Sequence, residues 1–244
     1  MTNTVLLNNI EHKDLKVITS FAEQYGDNVW YTPTFLLEFR SIQAHYPIFF
    51  QKDPNTGGFY PVVMMGFQDN ENLFLDGDKW NAGYIPLMIK RQPFFIGKQD
   101  QIEDGKTTER RVIHIDLDSP RISKSEGQDL FVEFGASSPF LVEMADVLET
   151  IHHGMEANQG FVESLLKFDL IESFTLDIEL NDGSHHNMIG FYTIQEDNLK
   201  GLGKDALAEL HQDGYLEAAY MMMASQSNIR NLIDMKNKRN EQLG

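Results

Sequence analysis

The chain has 244 residues, 37 acidic against 20 basic, a formal net charge of −17 and no cysteine. That charge opposes binding to nucleic acid, whose phosphates must be met by Lys and Arg, and to an anionic membrane surface. The missing thiols exclude disulfides, thiolate catalysis and zinc–thiolate sites.

With 41% hydrophobic residues, a chain of this length can bury a sizeable core without staples. The start, MTNTVLLNNIEHKDL, has a short apolar patch and no basic region, so no secretory signal is expected. No apolar run approaches the roughly 18 residues of a membrane span. A soluble, cytoplasmic protein is the expectation.

Taken in order, Leu15 to Phe21 fits a short helix or a strand, and the aromatic run Val29 to Tyr31 is followed by Pro33. Tyr46 to Gln51 is aromatic and β-branched, which suits a pleated, half-buried surface. Asp53-Pro54-Asn55-Thr56-Gly57-Gly58 is turn chemistry. Phe59 to Phe67 is a nearly continuous apolar run, predicted as a strand buried on both faces. Asn72 to Leu75 is a third apolar run, closed by Asp76-Gly77-Asp78. Pro86 suits the first turn of a helix beginning near Ile85, and Pro93 should stop it.

Gly97 to Arg110, GKQDQIEDGKTTER, is expected to be a polar loop and a site of disorder. Arg111 to Leu117 alternates as a strand does, and Leu130 to Phe134 is predicted as a short strand closed by Gly135. Phe140 to His152 has a helical period, with a break expected at Asn158 and Gly160 before a second helical stretch. Phe174, Leu176, Ile178 and Leu180 alternate with polar residues up to Asn181-Asp182-Gly183, a strong hairpin signal. Thr193-Ile194-Gln195-Glu196 fits the capping box, predicting a helix over 194–199. Helices are predicted over 202–211, ending at Gly214, and over 215–236. Residues 237–244 are expected to fray.

Two constellations stand out. Trp80, Tyr84 and Arg91 place aromatics beside a basic pair in an acidic chain, a combination that can hold an anionic or sugar-like ligand by stacking and charge-assisted bonds. They are the predicted binding residues, set against a bland reading in which Lys90 and Arg91 are cations at a helix C-terminus. His114, Asp116 and Asp118 lie at alternate positions, so a strand would put them on one face, where His and carboxylates can bind iron, manganese or zinc. The bland reading, a solvated strand face, is preferred there. No G-x-S-x-G elbow, P-loop or G-x-G-x-x-G appears, and no catalytic residue or cofactor is assigned.

Three blocks carry a resemblance: YPIFF with FYPVVMMGF; NLFLDGDKWNAGYIPLMIKRQPF; and GFYTIQEDNLKGLGKDALAELHQDGYLEAAYMMMAS. In order and spacing they resemble the SapC-like family of soluble bacterial proteins, over about Tyr46 to Leu232. The family takes its name from bacterial surface-layer genes, and its members resemble products encoded near outer-membrane receptor genes and flavin-dependent halogenase-like genes. A permease subunit of a peptide transporter shares the name but has membrane spans, which this chain lacks. The resemblance transfers no catalytic residue.

The expected fold is a single α+β domain over residues 1–244, a mainly antiparallel sheet with C-terminal helices packed on it. The expected function is a non-catalytic binding or accessory protein serving surface-layer assembly or outer-membrane nutrient uptake. It would work with a protein partner or a small anionic or sugar-like ligand, and self-association stays open. The alternative is a metal-dependent enzyme using His114, Asp116 and Asp118, or a partner of a flavin-dependent halogenase-like enzyme.

Overall fold

The computed structural model describes the backbone of residues 3–103 and 106–243. Its strands, in chain order, are β1 (Thr4–Leu6), β2 (Lys16–Val17), β3 (Tyr31–Pro33), β4 (Ile48–Lys52), β5 (Phe59–Met64), β6 (Leu75–Asp76), β7 (Lys79–Trp80), β8 (Phe94–Glu103), β9 (Lys106–Asp116), β10 (Ile122–Ser123), β11 (Gln128–Asp129), β12 (Ile171–Glu179) and β13 (His185–Ile194). The helices are α1 (Phe39–Ile42), α2 (Leu87–Lys90), α3 (Pro139–Lys167), α4 (Glu196–Lys200), α5 (Lys204–Gln212), α6 (Tyr215–Ser225) and α7 (Asn228–Leu243). The fold is α+β, with antiparallel sheets and C-terminal helices packed against them. Residues group into two compact units: unit 1 holds 1–27, 77–79 and 87–153, and unit 2 holds 28–76, 80–86 and 154–244.

Unit 2 is built on a five-stranded sheet in the order β12-β13-β4-β5-β3. The turn before β5 forms as its residues dictate: the Asp53 carboxylate accepts the N–H groups of Asn55 and Thr56, and Gly57 takes a φ of 72°. The apolar run is buried on both faces over residues 61–67, with Phe59 and Tyr60 half-buried, and its strand ends at Met64. In the β12–β13 hairpin, Ile178 and Leu180 are buried and Phe174 and Leu176 half-buried, while Thr175, Asp177 and Glu179 are exposed. The predicted register holds, with a bulge between Phe174 and Leu176 opposite Gly190, whose φ is 81°. Phe49 lies at the centre of the sheet, stacked on Phe174 at 4.9 Å and edge-on to Phe191 at 5.9 Å. On this sheet rests α6, fixed by the Ile48 N–H donating to the Ser225 hydroxyl over 2.9 Å.

Unit 1 holds a three-stranded sheet, β1-β9-β8, and a small one, β10-β2-β11. Its polar core is an ion pair. The Arg121 guanidinium, 2% exposed, donates to both carboxylate oxygens of Asp27, fully buried, at 2.6 and 2.7 Å. It also donates to the carbonyls of Ile18 and Ser20 and lies 5.3 Å from the rings of Phe21 and Tyr25. Burial pushes the Asp27 carboxyl above its usual range, and the Arg121 charge opposes that push.

Several expectations are corrected. Residues 97–103 and 106–110 of the expected loop are strand, and 104–105 lie outside the described residues: β8 and β9 pair from Phe94↔Ile115 to Glu103↔Lys106. Backbone pairing in a long hairpin tolerates polar side chains on both faces, so polarity alone did not mark a loop. Residues 133–135 form a 3-10 turn instead of a strand, because Phe134 and Gly135 both take positive φ. The helix α3 runs unbroken through Asn158 and Gly160. Asn158 does not break it because its amide is used outward, donating to the Thr34 carbonyl at 2.9 Å and accepting from the Leu36 N–H at 3.2 Å.

The helix over 196–200 is capped by Gln195, whose side-chain oxygen accepts from the N–H groups of Asp197 and Asn198. Thr193, the predicted cap, is still in β13 and buried, accepting from Gln226. The stretch 215–236 is two helices, parted between Ser225 and Asn228. Finally, 237–243 is the last part of α7 and not a frayed tail. Lys236 pairs with buried Glu71 at 2.6 Å, and Arg239 donates to the carbonyls of Asn72, Leu73 and Leu75. Among the described residues no helix is long and apolar enough to cross a membrane.

Candidate functional site

The 3-10 turn Leu36–Glu38 leads into α1, and the chain then enters the sheet through Tyr46, which is fully buried. The Tyr46 hydroxyl accepts the Trp80 indole N–H at 2.7 Å and donates to the Tyr84 carbonyl. The Tyr84 hydroxyl donates in turn to Glu38 Oε1 at 3.0 Å, and the Thr34 hydroxyl to Glu38 Oε2 at 2.8 Å. Trp80 lies nearly parallel to Phe74, with ring planes 9° apart. Gly83 passes under His45, where a Cβ would meet the imidazole at 3.0 Å.

Trp80 and Tyr84 are each half-buried, with their polar ends hydrogen-bonded inside. Burial pushes the phenols of Tyr46 and Tyr84 well above their ordinary range, and the Glu38 charge adds to the push. Both therefore hold their protons to higher pH than a free tyrosine does.

Arg91 belongs to unit 1. Its guanidinium stands 4.5 Å from the Phe95 ring centroid and donates to the Phe94 carbonyl at 2.7 Å. Burial lowers its pKa, yet arginine stays charged from so high a starting value. Its neighbour Lys90 pairs with Glu143 at 2.6 Å.

His114, Asp116 and Asp118 are not aligned on one strand face as the alternation predicted. The strand β9 ends at Asp116, so Asp118 leaves the pleat that would align it with the other two. Asp116 Oδ1 instead accepts the Asp118 N–H at 3.1 Å. The His114 ring lies over Gly97, where a Cβ would stand 2.4 Å away. Among the described residues no group of three or more His, Asp or Glu could hold a metal ion.

Sequence reasoning missed a groove of about 490 Å³ in unit 1. Its apolar walls include Leu6, Ile96, Val112, Leu141 and Leu148, with Arg110, Arg111 and Glu149 as its charged lining. Arg111 and Glu149 pair at 2.9 Å. The alternation at Val112 and the helical stripe at Leu141 and Leu148 were both visible in the sequence; that they face one another is a tertiary fact.

A family model, SapC, matches residues 7–232. The chain belongs to the SapC family. The match spans both units and covers Trp80, Tyr84, Arg91 and all of the groove lining but Leu6. No curated protein and no solved structure matches the chain.

Proposed function

We propose that this SapC-family chain is a non-catalytic binding protein, acting as an accessory factor in bacterial surface-layer assembly or in nutrient uptake at the outer membrane. The observation that supports it most is the pinned pair Trp80 and Tyr84. Each residue is half-buried, and its polar end is hydrogen-bonded inward, to Tyr46 and to Glu38. Rings held this way lose little conformational freedom on binding, which is what pre-organised recognition surfaces exploit. They offer ring faces and edges, suited to the flat apolar face of a sugar ring or to a planar side chain of a partner protein. Phenols kept protonated fit recognition better than general-base work. In unit 1, Arg91 is the proposed contact for an anionic group, its guanidinium positioned by Phe95.

Calorimetric titration with chitotriose, a neutral probe, and trigalacturonate, an acidic one, tests this reading. Saturable heat that Trp80→Ala abolishes, with the variant destabilised but still folded at the titration temperature, is the expected result. Equal heats for wild type and Trp80→Ala with both probes would remove Trp80 from any sugar-binding surface.

A further inference from the structure

We infer that unit 1 carries a self-complementary surface through which two copies of this chain pair, the Phe134 side chain of each copy entering the groove of the other. Phe134 is fully solvent-exposed, at 102% of its reference area, and has a φ of 63°. A bulky residue in that left-handed region is a backbone outlier, and such outliers cluster at functional positions.

The turn that displays it is closely braced. The Val132 N–H donates to the Ala136 carbonyl at 2.8 Å and the Gly135 N–H to the Val132 carbonyl at 3.1 Å, while Phe131 bridges to Ser137. Asn9 Nδ2 donates to the Gly135 carbonyl at 2.8 Å, which brings its neighbour Ile10, 80% exposed, close to the same turn. Ile10, Val132 and Phe134 are thus exposed apolar side chains on or next to this turn, and such groups, where they cluster, mark protein–protein contacts.

The groove that would receive it adjoins the turn. Phe131 and Ser137, the residues that bridge across the base of the turn, both line the groove. Phe134 lies three residues from each, so its backbone is within about 10 Å of the groove wall. The groove, at about 490 Å³, leaves room for a phenyl ring.

Charge agrees with shape. In a chain of 37 acidic and 20 basic residues, the groove lining carries two guanidiniums, Arg110 and Arg111, against one carboxylate, Glu149. Glu149 is already paired with Arg111. Next to the protruding ring stands exposed Glu133, which in the paired copy would meet the Arg110 rim. A knob and its own receptor side by side on one patch satisfy the rule for a two-fold interface, in which each copy supplies both halves.

The test is sedimentation equilibrium of the full chain from about 1 μM to about 100 μM. Wild type should move from 28.0 kDa toward twice that mass. Phe134→Gly suits the positive φ, so it should stay monomeric with a melting midpoint no lower than wild type; the loss expected for a buried aromatic anchor is roughly 30-fold or more in dimer affinity. Arg110→Glu and Glu133→Arg should each weaken pairing, and the two together should restore it. Three results would overturn the proposal: wild type monomeric throughout, Phe134→Gly pairing as tightly as wild type, or no rescue in the double reversal. Wild type that stays monomeric and takes up decanoate instead would give the groove to a small amphiphile.

Discussion

One oxygen, that of the Tyr46 hydroxyl, accepts the Trp80 indole N–H at 2.7 Å and donates to the Tyr84 carbonyl. It therefore anchors both ends of residues 80–84. Tyr46→Phe keeps the ring and removes both bonds. It should destabilise the protein by about 2 kcal/mol, read as a lower urea midpoint at unchanged slope.

The same phenols set an alkaline limit. Unfolded tyrosines ionise near pH 10, whereas folded Tyr46 and Tyr84 hold their protons to higher pH. Above about pH 10 the folded state thus binds more protons than the unfolded one, so stability must fall as pH rises. Tyr60 and Tyr215 are shifted the same way and add to the slope. Tyr46→Phe should show a shallower loss of urea midpoint between pH 8 and 11 than wild type; an unchanged slope would contradict the assignment.

Two helical glycines of α3 should respond differently to alanine. Gly→Ala in a helix normally stabilises by about 1 kcal/mol. A Cβ at Gly154 would lie 2.1 Å from the Phe35 ring, which is fully buried and cannot yield, so Gly154→Ala should destabilise by about 1–3 kcal/mol. A Cβ at Gly160 meets only the Tyr215 hydroxyl, at 2.5 Å, the movable tip of a half-buried side chain. Thermal melts should separate the two variants, with Gly160→Ala near or above wild type.

The last turns of α7 are structural. Removing residues 237–244 deletes the Arg239 guanidinium from three carbonyls and the Asn240 amide from Asp182. This should lower stability by about 2 kcal/mol or more. Lys236→Met leaves the Glu71 carboxylate buried without its ammonium partner and should cost about 3–5 kcal/mol. Denaturant titration of both variants checks this, and a truncation that melts as wild type does would restore the frayed tail.

How much of this was legible follows from the range of each interaction. The β12–β13 hairpin could be read because alternation and Asp182-Gly183 are local signals. The cap was misplaced by two residues because Thr193 and Gln195 can both accept a hydrogen bond, and only the extent of β13 decides between them. The unbroken α3 could not be read, since Asn158 and Gly160 resemble helix breakers until Thr34 and Tyr215 are in place. The same holds at the candidate site. Trp80 and Tyr84 stood out by composition, but the Tyr46 hydroxyl that fixes them is 34 and 38 residues away in sequence and is brought near only by the fold.

The central claim is that Trp80 belongs to a pre-organised recognition surface. Only Trp30 and Trp80 fluoresce as indoles in this chain, so Trp30→Phe isolates Trp80 as its own reporter. Titrating that variant with chitotriose and with trigalacturonate should give a saturable change in Trp80 emission with at least one probe, and Tyr46→Phe, which frees the indole, should weaken it. Emission that stays flat with both probes up to about millimolar concentration would contradict the account.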